Sequence, residues 1–206
     1  MATCWFYLAR HGATDNNRAK PPRLQGRRTD PGLSEEGCDQ AARAAGFLAE
    51  TPLDAVYSSP LLRALETAQT IAEPHDITVT IEDGLIEADV GGWEGMPWDQ
   101  IEREYPDQYR AFMTDPARNP YLGGESVGEV QQRVIPVFER LAAANPGRTI
   151  LLVAHNVVNR GYLAHLMGVP LNQYRNIPQD NCGINLLRWR DGRVKPVTVN
   201  GAFHLR

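Results

Sequence analysis

Two arginines and two histidines stand where predicted strands end. Arg10 and His11 follow one apolar segment, and His155 follows another. Arg63 falls in the first turn of a helix predicted directly after a third strand. Because ligands of open parallel sheets bind beyond the carboxyl ends of the strands, we expect the four side chains to share one rim.

This set of side chains suits phosphoryl transfer. A neutral imidazole is a competent nucleophile toward phosphorus. Guanidinium groups bind phosphate oxygens in bidentate geometry and offset charge in the transition state. Predicted helix N-termini near residues 60 and 157 add backbone N–H groups that favour an anion. Taken singly, each side chain would be interpreted as a solvated strand end, a core histidine or a surface residue, but their convergence favours a phosphate site.

A leaving oxygen needs a proton, and the segment 85–95 supplies three carboxyl groups, on Glu87, Asp89 and Glu94. A carboxyl group that is partly buried beside a bound phosphate has a raised pKa and works as a general acid. The residues alone do not choose among the three, and each has an alternative interpretation as a solvated loop acid or a helix cap. No HxH, HExxH or DxD spacing and no glycine-rich nucleotide motif occurs, so we expect neither a metal nor a cofactor.

The elements that must position these residues alternate between strands and helices. The predicted strands lie at 5–10, 53–58, 77–81, 148–155, 183–189 and 195–200, and the predicted helices at 34–50, 59–72, 126–144 and 157–167. Ser34 and Ser59 are the expected N-caps of the first two helices, and Ser126 with Glu129 forms a capping box. The alternation predicts an α/β fold, a three-layer sandwich with a mostly parallel central sheet flanked by helices.

Residues 92–125 do not fit this alternation, because aromatic side chains are interspersed there with prolines and acids. We interpret this segment as a small cap or lid inserted into a single domain that covers residues 1–206. Arg103, Arg110 and Arg118 of the insertion are candidates for substrate selection. For most of the aromatic side chains we favour the alternative, that they pack the cap on the sheet.

The composition limits the class of partner. The net charge of −4 argues against general binding of nucleic acid or membrane surfaces. No apolar run approaches the roughly 20 residues that span a bilayer, and no signal peptide is visible. Three widely separated cysteines without a CxxC motif favour a reduced, cytoplasmic protein. The expected partner is a small-molecule phosphomonoester, and the closing strands offer a sheet edge that pairs in a homodimer or stays free.

The ordered motifs resemble those of the histidine phosphatase superfamily, which has the phosphoglycerate mutase-like fold. RHGATDNN resembles the RHGxTxxN signature of that family. Further matching segments are LQGRRTDPGLSEEG at 24–37, VYSSPLLRALETA at 56–68, LIEADVGGWEG at 85–95, GGES at 123–126 and the strand that ends in His155. The resemblance covers most of the chain, and the order of the motifs is specific.

The resemblance implies a role for each matching catalytic residue. His11 would be the nucleophile and would become a phosphohistidine. Arg10, Arg63 and His155 would complete the phosphate pocket. Glu87 would be the general acid and would then activate water, a choice that the residues alone left open.

The resemblance also implies a substrate side and shows two departures. Asn17 would contact or position the phosphate, and Gln25 and Gly26 would line the substrate side. Family members usually have Glu where this chain has Ala13 and Gly where it has Asn156. Asn156 is able to cap the following helix, and we expect its side chain to reach a ligand.

Two activities share a phosphohistidine. A mutase returns the phosphoryl group to a bound intermediate, whereas a phosphatase admits water. The segment between Gly95 and Gly124 is shorter than a resemblance to the cofactor-dependent mutases implies, and the element at 24–37 favours a phosphatase. We therefore predict a metal-independent phosphomonoester hydrolase, with phosphoglycerate mutase-type transfer as the alternative. A binding module without catalysis would have lost His11, an arginine or Glu87, and this chain has lost none of them.

Overall fold

The computed structural model describes residues 2–206. In chain order the elements are β1 (Cys4–Arg10), α1 (Asp15–Arg18), α2 (Glu35–Leu48), β2 (Ala55–Ser58), α3 (Leu62–Ala72), β3 (Val79–Ile81), α4 (Trp98–Glu104), α5 (Pro106–Thr114), α6 (Val127–Ala144), β4 (Thr149–Ala154), α7 (Asn156–Met167), β5 (Ile184–Arg190) and β6 (Arg193–Gly201). The predicted alternation of strands and helices is confirmed, with element ends shifted by a few residues. Within residues 2–206, no helix is both long enough and apolar enough to cross a membrane.

One sheet contains all six strands, in the order β3-β2-β4-β1-β5-β6. The pairs β1–β4, β2–β4 and β2–β3 are parallel, and β5 runs antiparallel to both of its neighbours. The predicted α/β fold with a mostly parallel sheet is therefore confirmed. The β5–β6 turn has positive φ at Asp191 and Gly192, as a two-residue hairpin of the predicted kind requires.

The helices cover both faces of the sheet, which gives the three predicted layers. In β4, Ile150 and Leu152 belong to a core cluster with residues of α6 and α7, whereas Leu151 and Val153 belong to a cluster with residues of α2 and α3. Each fully buried side chain of this size stabilises the fold by roughly 1.5–3 kcal/mol. Burial on both faces explains why this strand is continuously apolar.

The predicted caps of α2 and α6 are confirmed. The Ser34 hydroxyl accepts a hydrogen bond from the Gly37 N–H at 3.2 Å. At the start of α6, Ser126 and Glu129 form the predicted capping box.

The predicted cap of α3 is wrong. This helix begins at Leu62, and its N-cap position is Leu61 instead of Ser59. Asp30 Oδ1, from the distant loop before α2, accepts the Leu62 N–H at 2.8 Å and satisfies one of the free donors of the first turn. The Ser59 hydroxyl is therefore available for a contact in the site described below.

The segment 92–125 contains α4 and α5, and its aromatic side chains cluster. Trp93 is fully buried and contacts Trp98, Phe112 and Tyr121 edge-on. The cluster joins the core that also holds α6 and α7, so these rings pack the segment onto the rest of the fold, as favoured from the sequence. That this segment forms a cap within a single domain stays a prediction.

Candidate active site

The neighbouring strands β1 and β4 bring two histidines together. Arg10 pairs with Ala154 in the parallel register, and the N–H of His11 donates to the Ala154 carbonyl at 3.0 Å. The rings of His11 and His155 consequently lie 5.1 Å apart, centre to centre. The structure thus places the four predicted rim residues at one edge of the sheet.

The hydrogen bonds of His11 determine which ring nitrogen is free. Its Nδ1 lies 2.7 Å from the Gly12 carbonyl, which only accepts, so the proton is on Nδ1. The lone pair is therefore on Nε2, to which Arg63 Nε donates at 3.3 Å. Burial, and then the charges of Arg63 and Arg10, hold the pKa of His11 well below its ordinary value. The ring is consequently neutral and nucleophilic at neutral pH.

Arg63 is completely buried, with its guanidinium beside His11. Its Nη2 donates to the Gly26 carbonyl at 2.8 Å. Its Nη1 has no hydrogen-bond partner among residues 2–206 and lies 3.7 Å from Asp30 Oδ1. Burial lowers the pKa of Arg63, although the charge of Glu87 opposes this shift. A buried donor without a partner is rare in folded proteins and points to an anionic ligand.

Arg10 extends from the end of β1 and is fixed at one nitrogen. Its Nη1 donates to the Gln179 carbonyl at 2.8 Å, while its buried Nε has no partner among the residues described. Burial lowers the pKa of Arg10 to about 10, so the side chain remains a cation at neutral pH. Arg10 and Arg63 together give His11 two cationic neighbours.

His155 is fully buried and oriented by a serine. Its Nε2 lies 2.7 Å from the Ser59 hydroxyl. Burial, and then the charge of Arg63, hold the pKa of His155 well below its ordinary value, so this ring is also neutral in the free protein. Sequence patterning assigned Ser59 to a helix cap, and only the tertiary contact shows that it orients a histidine.

Among the three candidate acids, only Glu87 lines the cavity beside His11. Its two oxygens accept the backbone N–H groups of Ala88 at 2.8 Å and Val157 at 3.1 Å. Burial raises the pKa of Glu87 above its ordinary value, against these hydrogen bonds and the charge of Arg63. A buried carboxyl group with a raised pKa is suited to donate a proton.

The other two acids are occupied elsewhere. Asp89 pairs with Arg28 at 2.7 Å, and although burial raises its pKa, this hydrogen bond and the other contacts lower it overall. Glu94 accepts the Gly26 N–H at 2.9 Å and the Thr29 hydroxyl at 2.7 Å. The geometry therefore selects the same acid as the resemblance.

Two of the predicted substrate-side residues, Asn17 and Gln25, lie around Thr14. Asn17 Oδ1 accepts the Thr14 N–H at 3.1 Å, and Gln25 Oε1 accepts the Thr14 hydroxyl at 2.8 Å. The buried amide nitrogen of Gln25 has no partner among residues 2–206, and both Asn17 and Gln25 line the cavity. Gly26 is held too close to Ala88 for a side chain, since a Cβ there would lie 2.6 Å from the Ala88 carbonyl. It contributes its carbonyl to Arg63 instead of lining the cavity.

Asn156 lines the cavity, but it does not cap α7. The helix begins at Asn156 itself, and the N-cap position is His155, whose side chain makes no capping bond. The Glu87 carboxyl group accepts the Val157 N–H, which an N-cap side chain would otherwise satisfy. The expectation of an asparagine cap is wrong because the general-acid candidate occupies that place.

The loop after His11 has a packing requirement of its own. A Cβ at Gly12 would lie 2.6 Å from the Gly37 carbonyl, and a Cβ at Gly37 would lie 2.0 Å from the Ala13 carbonyl. Both glycines therefore allow two backbones to approach each other closely. Ala13, where the family usually has an acid, is buried in this contact.

One cavity of about 240 Å³ is lined by Arg10, His11, Asn17, Gln25, Glu87 and Asn156, whereas Arg63 and His155 are not part of its lining. Its charged lining consists of one acid and four arginines, namely Glu87, Arg10, Arg23, Arg160 and Arg175. The excess of positively charged donors suits a ligand with several negative charges. The ligand must also be small, because pockets for drug-sized ligands measure roughly 300–1,000 Å³. Within residues 2–206, no group of three or more His, Cys, Asp or Glu side chains is placed to hold a metal ion.

The arginines expected from the cap do not line this cavity. Arg103, Arg110 and Arg118 are exposed, and the last two pair with Asp107 and Asp115 one turn away. Instead, Arg160 of α7 and Arg175 of the following 3-10 helix line it. Arg160 lies one turn after Asn156, a helical spacing that could have pointed to it.

Sequence reasoning also missed a second contact to the nucleophile candidate. The Asn181 side-chain amide donates to the His11 carbonyl at 3.0 Å and lies 3.3 Å from Asn17 Oδ1. It lies in the loop before β5, and no spacing rule connects it with His11. Only the antiparallel pairing of β5 with β1 brings it near.

Known proteins match this chain over most of its length. A family model described as histidine phosphatase superfamily (branch 1) matches residues 6–201. Phosphoserine phosphatase 1 of Hydrogenobacter thermophilus is 34% identical over 198 residues, which are 96% of this chain and 92% of that protein. The glucosyl-3-phosphoglycerate phosphatase of Mycolicibacterium vanbaalenii is 33% identical, over 81% of this chain and 76% of its own.

A solved structure agrees with these matches. The phosphoserine phosphatase of Entamoeba histolytica, in complex with 3-phosphoglyceric acid, superposes with a TM-score of 0.88 at 28% identity. The match covers 98% of this chain and 100% of that one. By its sequence, its fold and the rim of histidines and arginines at the carboxyl edge of its sheet, the chain belongs to the histidine phosphatase superfamily.

Proposed function

We propose that His11, Arg10, Arg63, His155 and Glu87 are the catalytic residues of a phosphomonoester hydrolase that works through a phosphohistidine. The observation that carries this proposal is the state of His11. Its lone pair is on Nε2, its pKa is lowered, and two guanidinium groups lie beside it. The family relatives that are phosphatases of small phosphorylated metabolites support the same activity.

In the first step, His11 Nε2 attacks phosphorus. A P–N bond forms while the bond from phosphorus to the ester oxygen breaks, and the proton of Glu87 passes to the leaving oxygen. Arg10 and Arg63 hold the equatorial oxygens and offset charge in the transition state. The neutral ring of His155 donates a further hydrogen bond to the phosphoryl group.

In the second step, water attacks the phosphohistidine. The Glu87 carboxylate takes a proton from the water as the new P–O bond forms and the P–N bond breaks. Inorganic phosphate leaves, and His11 and Glu87 return to their starting states. The same carboxyl group thus serves as acid and then as base.

Hydrolysis is favoured over phosphoglycerate mutase-type transfer. The relatives named above are phosphatases, and they match this chain over most of their own length. The substrates in their names, phosphoserine and glucosyl-3-phosphoglycerate, are small phosphorylated metabolites, which fits a cavity of about 240 Å³. Release of inorganic phosphate from such compounds supports hydrolysis, whereas isomerisation of 3-phosphoglycerate without release would support the mutase.

The nucleophile is tested with p-nitrophenyl phosphate. His11→Ala should lose turnover by about 10³-fold or more, because the covalent step is lost. His165→Ala, at an exposed position of α7, is the matched control and should keep full activity. Brief incubation of the wild type with a ³²P-labelled substrate should give an acid-labile label on His11. Unchanged turnover in His11→Ala would overturn the mechanism.

Charge neutralisation by arginines predicts independence from metals. We expect full activity after treatment with EDTA, because Arg10 and Arg63 hold the phosphoryl oxygens. Loss of activity in EDTA that Mg²⁺ or Zn²⁺ restores would contradict this expectation.

A cytoplasmic location is part of the proposal. Its support is that Cys4, Cys38 and Cys182 are all free thiols, which is typical of proteins in reducing compartments. Cell fractionation with antibody detection tests this location.

A homodimer through the outer edge of β6 stays a prediction. Val197, an apolar side chain of this strand, is 53% exposed. If β6 pairs with its copy, light scattering should give twice the chain mass, and Val197→Asp should return it to the chain mass. A wild-type mass equal to that of one chain would contradict this prediction.

A further inference from the structure

Three arginines of the cavity lining, Arg23, Arg160 and Arg175, have no role in the phosphoryl transfer described above. Arg23 is exposed, whereas Arg160 and Arg175 are half-buried. Arg160 and Arg175 lie on α7 and on the 3-10 helix Leu171–Asn176. Neither has a carboxylate within 4 Å among residues 2–206, so both positive charges are uncompensated by ion pairs. The single acid of the cavity, Glu87, must be protonated to act as a general acid.

Arg160 is oriented by one hydrogen bond and is otherwise free. Its Nε donates to the Ile177 carbonyl at 2.8 Å. No hydrogen bond within the described chain uses its Nη1 or Nη2, and the residue lines the cavity. The two terminal nitrogens of a guanidinium form a planar fork that matches the two oxygens of a carboxylate.

Arg175 is fixed against an aromatic wall. Its guanidinium carbon lies 4.5 Å from the ring centre of Trp98 and 5.4 Å from that of Phe112. Its Nε donates to the Tyr174 hydroxyl at 3.3 Å, and its buried Nη2 has no partner in residues 2–206. Stacking of this kind fixes the plane of the guanidinium before a ligand binds.

The two cations disfavour each other in the free protein. Burial lowers the pKa of Arg160, and the nearby charge of Arg175 lowers it further. A ligand anion between them would relieve this repulsion, in the same way that a phosphoryl group relieves the repulsion of Arg10 and Arg63.

We propose that Arg160 and Arg175 bind a carboxylate of the substrate, so that the enzyme selects phosphomonoesters of small carboxylic acids. This inference rests on the phosphatase activity proposed above. Arg160 and Arg175 line the same cavity of about 240 Å³ as His11. A carboxylate bound there would therefore be joined to the phosphate at His11 by a short carbon chain. The small cavity favours a carboxylate over a second phosphoryl group.

A matched pair of substrates tests the proposal. 3-Phosphoglycerate and glycerol 3-phosphate differ only in a carboxylate against a hydroxymethyl group. We expect the wild type to prefer 3-phosphoglycerate by at least about tenfold in kcat/KM, since charged hydrogen bonds of this kind contribute about ten- to a hundredfold. Arg160→Gln and Arg175→Gln should each reduce this preference to below about threefold, mainly by raising the KM for 3-phosphoglycerate.

Two further variants keep the test specific. Arg118→Gln removes the same charge from an exposed position outside the cavity and should keep the full preference. Arg160→Lys keeps the charge without the planar fork and should keep an intermediate preference, so a failure of Arg160→Gln to fold leaves the test intact.

Two results would overturn the proposal. These are equal kcat/KM of the wild type for the two substrates, or an equal loss on both substrates in Arg160→Gln. If p-nitrophenyl phosphate is hydrolysed in a His11-dependent way while the preference is absent, only the carboxylate site is wrong. If no substrate is hydrolysed, the proposed function is wrong as well.

Discussion

The pKa values of His11 and Glu87 shift in opposite directions, although burial is the largest cause of both shifts. Both side chains are buried. Burial disfavours the charged form of either group, so it lowers the pKa of His11 and raises that of Glu87. These two directions widen the pH range in which His11 is neutral while Glu87 is protonated, which is the combination that the first step requires.

The pH dependence of kcat/KM follows from these two directions. Glu87 donates only when protonated, so activity is present below its raised pKa and is lost as the pH rises through that value. His11 attacks only when neutral, so activity is lost on the acid side as the pH falls through its lowered pKa. We expect a bell-shaped profile whose alkaline limb belongs to Glu87. The measurement is the rate of hydrolysis of an alkyl phosphate as a function of pH.

Substitution of the acid tests the assignment of that limb. Glu87→Gln should remove the alkaline limb and lower kcat for an alkyl phosphate by about 10²-fold or more. Aryl phosphates, whose leaving group needs less protonation, should lose less. Asp89→Asn and Glu94→Gln are the comparisons, and both should keep the limb. If the alkaline limb disappears in Asp89→Asn or Glu94→Gln while Glu87→Gln keeps it, the residue replaced in that variant is the general acid instead of Glu87.

Ser59 orients His155, and its neighbour provides a control. The Ser59 hydroxyl lies 2.7 Å from His155 Nε2, whereas that of Ser58 donates to a backbone carbonyl at 2.9 Å. Ser59→Ala should lower kcat by about three- to tenfold, since it removes one hydrogen bond to the ring. Ser58→Ala, also buried at the end of β2, should change stability but not kcat. Steady-state kinetics and urea unfolding of both variants check this, and equal kcat values would show that Ser59 has no positioning role.

At the scale of elements, the start of α2 supports the loop that carries His11. The Ala13 carbonyl accepts the Ser34 N–H at 2.9 Å and the Ser34 hydroxyl at 3.0 Å. The close approach that this requires depends on Gly37 of the first turn. A helix on one face of the sheet thus determines the path of the backbone directly after the nucleophile candidate.

Two glycines of α2 should respond in opposite ways to alanine. Gly37→Ala places a Cβ about 2.0 Å from the Ala13 carbonyl and should lower the free energy of unfolding by about 1–3 kcal/mol. Gly46→Ala meets no atom within 4 Å and should raise it by about 0.5–1 kcal/mol. Urea unfolding measures both, and kcat should fall only in Gly37→Ala. Similar stabilities of the two variants would contradict the packing argument.

Local patterns predicted the elements better than their ends. The apolar run of β4 and the capping box of α6 are properties of short segments, and both are confirmed. The N-cap of α3 was predicted wrongly because Asp30, far away in the chain, supplies the acceptor. At α7 the acceptor comes from Glu87. In both cases a side chain from a distant segment replaces the local cap. A pattern read from neighbouring residues holds no information about such a contact.

At the scale of the whole molecule, the sequence predicted the phosphate end of the site better than the substrate end. Arg10 and His155 follow strands, and parallel strands end at one edge, so their meeting follows from topology. Arg160 and Arg175 reach the cavity, and Asn181 reaches His11, through the packing of α7 and β5 against the rest of the fold. Only Arg160 has a local signal, its four-residue spacing from Asn156, and for the other two spacing along the chain gives no rule.

Arg133 of α6 joins the loop of Glu87 to the end of the 92–125 segment. Its Nη2 donates to the Ile86 carbonyl at 2.8 Å and the Glu87 carbonyl at 3.1 Å, and its Nε lies 2.8 Å from Glu125 Oε1. Glu125 Oε2 in turn accepts the Asp89 N–H at 2.8 Å. The half-buried ion pair of Arg133 and Glu125 therefore connects the loop of Glu87, the end of the predicted cap and α6.

Loss of this ion pair should lower both stability and catalysis. We expect Arg133→Met to lower the free energy of unfolding by about 2–4 kcal/mol, because Glu125 loses this ion pair and three carbonyls, of Gly84, Ile86 and Glu87, lose the guanidinium donor. It should lower kcat about tenfold, since Glu87 loses its support. Arg140→Gln is the control on the same helix, because its pair with Glu82 is exposed and contributes less than about 1 kcal/mol.

A double-mutant cycle tests the coupling of the two side chains. In urea unfolding, the effect of the double variant should differ from the sum of the effects of Arg133→Met and Glu125→Gln by about 0.5–3 kcal/mol. Additive effects would mean that the two side chains act separately, and the cap and the acid would then not be coupled through them.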